Sequence, residues 1–170
     1  MQIITINDDN LTIDKVDQFT SKSRAILLDD NKILVANYGG VTLLPGGTVQ
    51  KEETSLNALV RELEEETGII YDKVDLQLLF NIKHYQRDYP TRNNEKINRM
   101  VNTTYYISEF RGVNYNNVNM TEQEEIDGFN LELIDIDRLS EKIKLETHNP
   151  RKRYFDREIE ETYKLLKKIR

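Results

Sequence analysis

The sequence predicts one α/β domain, and three observations predict it. Short apolar and β-branched runs alternate with turn residues, two stretches carry helical spacing with end signals, and 170 residues suffice for one sizeable core. A composition of 38% hydrophobic and 32% charged residues is that of a globular domain rather than a disordered chain. No internal repeat, low-complexity linker or shift in composition marks a second domain.

The elements follow in order. The opening "MQIITINDDN" lacks the basic start and apolar run of a signal peptide. In "SRAILLDDNKILVANY" two apolar runs flank Asp29-Asp30-Asn31, the pattern of a β-hairpin. "VTLLPGG" reads as a strand that stops at Pro45 and two glycines. Thr54 to Thr67 reads as a helix, because Thr54 or Ser55 can cap its start and Gly68 falls where a left-handed cap belongs.

"VDLQLLFNIKHY" and "VNTTYYISEF" are rich in β-branched and aromatic residues and read as strands. The polar stretch between them, "QRDYPTRNNEKINR", reads as a long loop of the kind that carries specificity. "NLELIDIDRL" alternates like a strand and then turns into a short helical piece. The last segment places Phe155, Ile159, Tyr163, Leu166 and Ile169 at the spacing of an amphipathic helix.

Composition also excludes. Without cysteine there is no disulfide, thiol nucleophile or thiolate metal site, and His84 and His148 alone are too few for a His-rich zinc centre. Both histidines read as ordinary polar surface residues. The longest apolar runs, "AILL" and "ILVA", fall far short of the ~20 residues that span a bilayer. The expectation is a cytoplasmic protein without a membrane segment. A net charge of −6 argues against a broad grip on nucleic acid.

The chemistry lies in "GGTVQKEETSLNALVRELEEETGI", Gly46 to Ile69. At ~100° per residue, Glu62, Glu65 and Glu66 share one arc of the helix, with Arg61 beside Glu65. Leu56, Leu59, Val60 and Leu63 fill the adjoining arc and anchor it, while Glu64 points away. Like charges at this spacing oppose the helix by roughly 0.2–0.5 kcal/mol per pair. A hard divalent cation would remove that repulsion, and Mg²⁺ takes oxygen ligands of this kind. Gly46 and Gly47 let the backbone turn sharply toward the same point. Such parts suit hydrolysis of a phosphate ester or anhydride, with a spare carboxylate to take the proton.

Gly47, then five residues, Glu53, then seven, then Arg61-Glu62-Leu63-Glu64-Glu65-Glu66-Thr67-Gly68-Ile69 resembles the complete signature of the Nudix hydrolases. The resemblance extends over residues 22–140 and leaves outside it an N-terminal extension, 1–21, and a C-terminal helix, 150–170. It implies an α/β/α sandwich, a mixed β-sheet packed between helices. It implies cleavage of a P–O–P bridge in a nucleoside diphosphate linked to a group X, by water and with Mg²⁺ or Mn²⁺. X would be the rest of a nucleoside triphosphate, a sugar as in ADP-ribose, or a second nucleotide.

Carried over by residue, the Gly46 carbonyl, Glu62, Glu65 and Glu66 would hold the metal. Arg61 would orient a neighbouring glutamate, and Glu53 would brace the loop onto the helix. The catalytic set is then Glu62, Arg61, Glu65 and a base, either Glu62 itself or a glutamate of "TEQEEID". Glu125 is the first candidate there, ahead of Glu122 and Glu124. Gly47, Glu53 and Gly68 would be structural. Tyr85 and Arg87 are candidates for contact with substrate, and Arg151, Lys152 and Arg153 could meet its phosphates. A silent nucleotide sensor and an RNA 5′-pyrophosphohydrolase are the alternatives, and many relatives pair as homodimers.

Overall fold

A computed structural model describes residues 1–170. Eight strands form one mixed sheet: β1 (Gln2–Ile6), β2 (Gln18–Asp29), β3 (Lys32–Tyr38), β4 (Val41–Leu43), β5 (Gly46–Thr48), β6 (Gln77–Pro90), β7 (Lys96–Glu109) and β8 (Asn130–Asp135). Helices α1 (Ser55–Thr67), α2 (Glu122–Ile126), α3 (Leu139–Lys142) and α4 (Lys152–Ile169) complete it.

The strand order is β1-β6-β7-β2-β3-β4, with β5 on β2 and β8 on β3. β1 runs parallel to β6 and β2 parallel to β7; the other pairings are antiparallel. The alternation along β2 explains the layers. Ala25 and Leu27 face a cluster containing Leu59 and Leu63 of α1, whereas Ile26 faces one containing Ile159, Leu165 and Leu166 of α4. The sheet is therefore sandwiched between α1 and α4.

Three sequence expectations change. Gly46 and Gly47 do not end the strand region: after a break at Pro45 they form β5, antiparallel to Lys22–Arg24. Residues 86–99 are mostly hairpin rather than loop, with only 91–95 left as the turn between β6 and β7. Their polar side chains pair with one another: buried Arg99 donates to Gln86 Oε1 at 2.5 Å, and its guanidinium lies 3.3 Å from the Tyr89 ring centroid. On α4 the buried stripe includes Tyr154, Thr162 and Leu165, while Ile169 is exposed.

Both ends of the chain belong to this body. Asp8 pairs with Arg157 at 2.7 Å, tying the turn after β1 to α4. No helix is long and apolar enough to cross a membrane.

Candidate active site

Helix α1 is delimited by its own sequence. Thr54 Oγ1 accepts the Asn57 N–H at 3.1 Å, and Gly68 ends the helix in the left-handed conformation, its N–H donating to Glu64 O. Leu59 and Leu63 bury one side, which turns Glu62 and Glu66 toward β5. There the Gly46 N–H donates to Glu66 Oε2 at 2.9 Å. At Gly47 a Cβ would run into the Glu62 carboxylate, so glycine allows the strand and helix to meet this closely.

Two arginines fix the surroundings. Buried Arg24, on β2, donates Nη1 to Leu44 O at 2.8 Å and to Gly46 O at 2.7 Å, holding the bend before β5. Arg61 donates Nε and Nη2 to the two oxygens of Glu53, Nη2 also to Thr48 O, and Nη1 to Glu62 at 2.7 Å and Glu65 at 3.5 Å. Glu53 also accepts the Gln50 N–H, so it joins the loop after β5 to the helix.

These elements enclose a pocket of about 280 Å³ lined by Gly46, Gly47, Glu62, Glu66 and Glu124, together with the cations Lys22, Arg24 and Arg92 and the aromatic rings of Tyr38 and Phe129. Burial pushes Glu66 up to about 8, with Glu62 and Glu124 adding to it and Arg24 opposing. Burial and the charge of Glu62 likewise raise Glu65.

The positions read from the sequence divide. Gly46, Gly47, Glu62 and Glu66 meet at the pocket; Arg61 and Glu53 sit behind it, and Gly68 closes α1. Glu65 does not line it but reaches back to Arg61. Glu125 is exposed and outside, because the short helix α2 turns Glu124 toward the pocket instead. Thr121 and Glu124 form a capping box in which Glu124 Oε2 accepts the Thr121 N–H and hydroxyl, leaving Oε1 without a partner in the chain. Glu122 is also exposed.

Tyr85 lines a separate recess with Asp8, His84 and Arg157, and Arg87 lines neither this pocket nor the groove beside it. His84 is buried rather than on the surface, with Nδ1 3.1 Å from Glu158 Oε1. As placed, no three acidic or histidine side chains converge closely enough to share an ion.

Sequence reasoning missed Lys22, Arg24 and Arg92. The signal for the first two was present, since both fall at period 2 from Ile26, on a core-facing side of β2. An open groove of about 660 Å³ adjoins the pocket, sharing Tyr38 and Arg92 with it. It also receives His148, Asn149 and Arg151, and Asn149 Nδ2 donates to Gly39 O at 2.7 Å. Lys152 and Arg153 are engaged elsewhere, Lys152 with Asp156 at 2.6 Å and Arg153 over the Tyr154 ring.

The family model described as "NUDIX domain" matches residues 20–159. Solved structures resemble the chain in fold. The MutT protein from Methanosarcina mazei Go1 is 17% identical, with 92% of this chain and 99% of that one covered and a TM-score of 0.56. A Nudix hydrolase from Nitrosomonas europaea is 16% identical, covering 87% and 90%, with a TM-score of 0.55. The ORF135 protein of E. coli is 20% identical, covering 82% and 87%, with a TM-score of 0.50. No curated protein matches the chain.

Proposed function

The chain belongs to the Nudix family of phosphoric-anhydride hydrolases, and on that premise we propose that it cleaves the P–O–P bridge of a nucleoside diphosphate linked to X, with Mg²⁺ or Mn²⁺. One observation carries the reading: Glu62, Glu66, Glu124 and the Gly46 backbone line a single pocket that also holds Lys22, Arg24 and Arg92. Acids and cations together suit a polyanion that arrives with a metal.

The donor set fits such an ion. Glu62, Glu66 and Glu124 offer hard carboxylate oxygens, and burial raises Glu66 beside two further acids, the setting in which a divalent cation is most favourable. Glu62, Glu66 and the Gly46 carbonyl would hold it, with Glu65 close by on Arg61 and the free oxygen of Glu124 left to take a proton. Bound there, it would neutralise phosphate charge and activate the attacking water.

The chain's own groups then have distinct tasks. Arg61 fixes the Glu62 carboxylate, and Arg24 fixes the Gly46 carbonyl. Glu124 replaces Glu125 as the proposed base, because it reaches the pocket with one oxygen free. Water oxygen bonds to phosphorus, its proton passes to the carboxylate, and the bridging P–O bond breaks with its electron pair on the departing phosphate. Cytoplasmic location and a homodimer remain part of the proposal, supported by the family alone.

The RNA 5′-end reading has an observation of its own, since it asks for cations beside the acids and Lys22, Arg24, Arg92 and Arg151 supply them. The test is a phosphate-release panel with Mg²⁺ and Mn²⁺, spanning nucleoside triphosphates, ADP-ribose, nucleotide sugars, dinucleoside polyphosphates and 5′-triphosphorylated RNA. Turnover of one class, cut at least ~10²-fold in Glu62→Gln,Glu66→Gln, supports the reading. Undiminished turnover in that variant sinks the site, and nucleotide binding without any turnover marks a sensor.

A further inference from the structure

Lys22 and Arg92 line the pocket without a carboxylate of their own. Arg24 is spoken for by two carbonyls and Arg61 by Glu53 and Glu62, but the side chains of Lys22 and Arg92 make no ion pair or hydrogen bond within the chain. The charges facing Lys22 are mostly of its own sign: Arg24, Arg99 and Arg151, against the single acid Glu158. Glu158 is already engaged, one oxygen at 3.1 Å from His84 Nδ1 and the other accepting from the Tyr105 hydroxyl at 2.9 Å. The Lys22 ammonium lies over the Phe155 ring, 5.7 Å from its centroid. Burial first, then the charges of Arg24 and Arg99, lower Lys22 to about 7 against the pull of Glu158, so an anion entering beside it would favour the charged ammonium.

We propose that Lys22 and Arg92 bind phosphate oxygens of the substrate, and that helix α4, through Phe155, positions Lys22 to do so. This rests on the reading that the pocket takes a polyphosphate, and it gives the C-terminal helix a part in the site. Lys22 enters from β2, Arg92 from the turn between β6 and β7, and Phe155 from α4, so three segments distant in sequence supply the anion's surroundings. Arg92 also borders the groove, which places it at the junction where X would leave the pocket.

The test titrates imidodiphosphate, whose nitrogen bridge resists anhydride hydrolysis, into the protein by calorimetry with and without Mg²⁺. Lys22→Met keeps the apolar stem and removes the charge, so it should stay folded. It and Arg92→Met should each weaken binding at least ~10-fold, with Lys22→Arg recovering most of the loss. Phe155→Leu, which keeps the core filled, should weaken binding through Lys22 and add nothing in the Lys22→Met background. In steady state KM should rise more than kcat falls.

Imidodiphosphate binding as tight in Lys22→Met,Arg92→Met as in the parent protein, or no binding by the parent with or without Mg²⁺, overturns the proposal. Loss of binding in these variants, with no panel substrate hydrolysed by the parent, keeps the anion site and removes the hydrolase reading. Full hydrolysis by the variants at unchanged KM does the reverse.

Discussion

Arg61 grips Glu53 with two nitrogens, Nε at 2.9 Å and Nη2 at 3.1 Å, while its third nitrogen holds Glu62 at 2.7 Å. One guanidinium thus spans the loop after β5 and the acidic side of α1. Lysine carries the charge but has no planar fork to make both contacts. Arg61→Lys should lower kcat at least ~10-fold and weaken the Mg²⁺ dependence, while costing at most about 1 kcal/mol because the pair is partly exposed. Metal titrations of activity beside urea unfolding check this; an unchanged Mg²⁺ midpoint would remove Arg61 from the site.

Gly47→Ala separates activity from stability. The new methyl would meet the end of the Glu62 side chain, a flexible group that can swing aside. The fold should survive with a loss below about 1 kcal/mol. Turnover should fall at least ~10-fold, since Glu62 would be pushed off Arg61. Melting curves and kcat for the same preparation decide it, and normal turnover would show that Glu62 is free to relocate.

Gly68→Ala should do the opposite. Gly68 has φ of +71°, and a Cβ would strike the backbone oxygen of Asn114, which cannot swing away. The expected cost is about 1–3 kcal/mol of stability with kcat per folded molecule unchanged. Chemical denaturation measures the first and active-site titration the second.

Glu158 sets a pH dependence. Burial pushes its carboxyl up, but the His84 hydrogen bond and the charges of His84, Lys22 and Arg24 outweigh burial and hold it down at about 2. Its folded value lies below the ordinary 4.5, so the unfolded chain takes the proton first as pH falls. The stabilisation is therefore complete above about pH 4.5 and is lost as pH drops toward about 2. Between pH 5 and 2 the stability gap between the parent and Glu158→Gln should shrink by on the order of 2–3 kcal/mol. Urea midpoints across that range test it, and parallel pH profiles would contradict it.

What the sequence revealed follows the strength of local signals. Helix α1 was legible because Thr54, the apolar arc and Gly68 all act within one segment. The hairpin tip at Asp29 and Lys32 was legible for the same reason. Strand β6 beyond Tyr85 was hidden, because Gln86 and Arg99 satisfy each other across the ladder and their polarity imitates a loop. Glu124 and Glu125 are adjacent on a five-residue helix, and only the packing of α2 decides which one turns inward. Lys22 and Arg24 needed knowledge of what covers β2, which is α4: Glu158, whose charge faces both, lies 134 residues beyond Arg24.

The parallel pairing of β1 with β6 bears on how this chain is made. Gln2 stands beside Phe80 and Gln18 beside Arg99, so β1 and the start of β2 must wait for partners that emerge much later. Contacts this distant in sequence slow folding and leave strand edges uncovered meanwhile. Phe155 and Glu158 emerge later still, so the surroundings of Lys22 are the last to form. A nascent chain that already carries every residue of the Gly46–Ile69 segment therefore still lacks the finished pocket. Assembly of the site tracks the arrival of α4, not exposure of its motif.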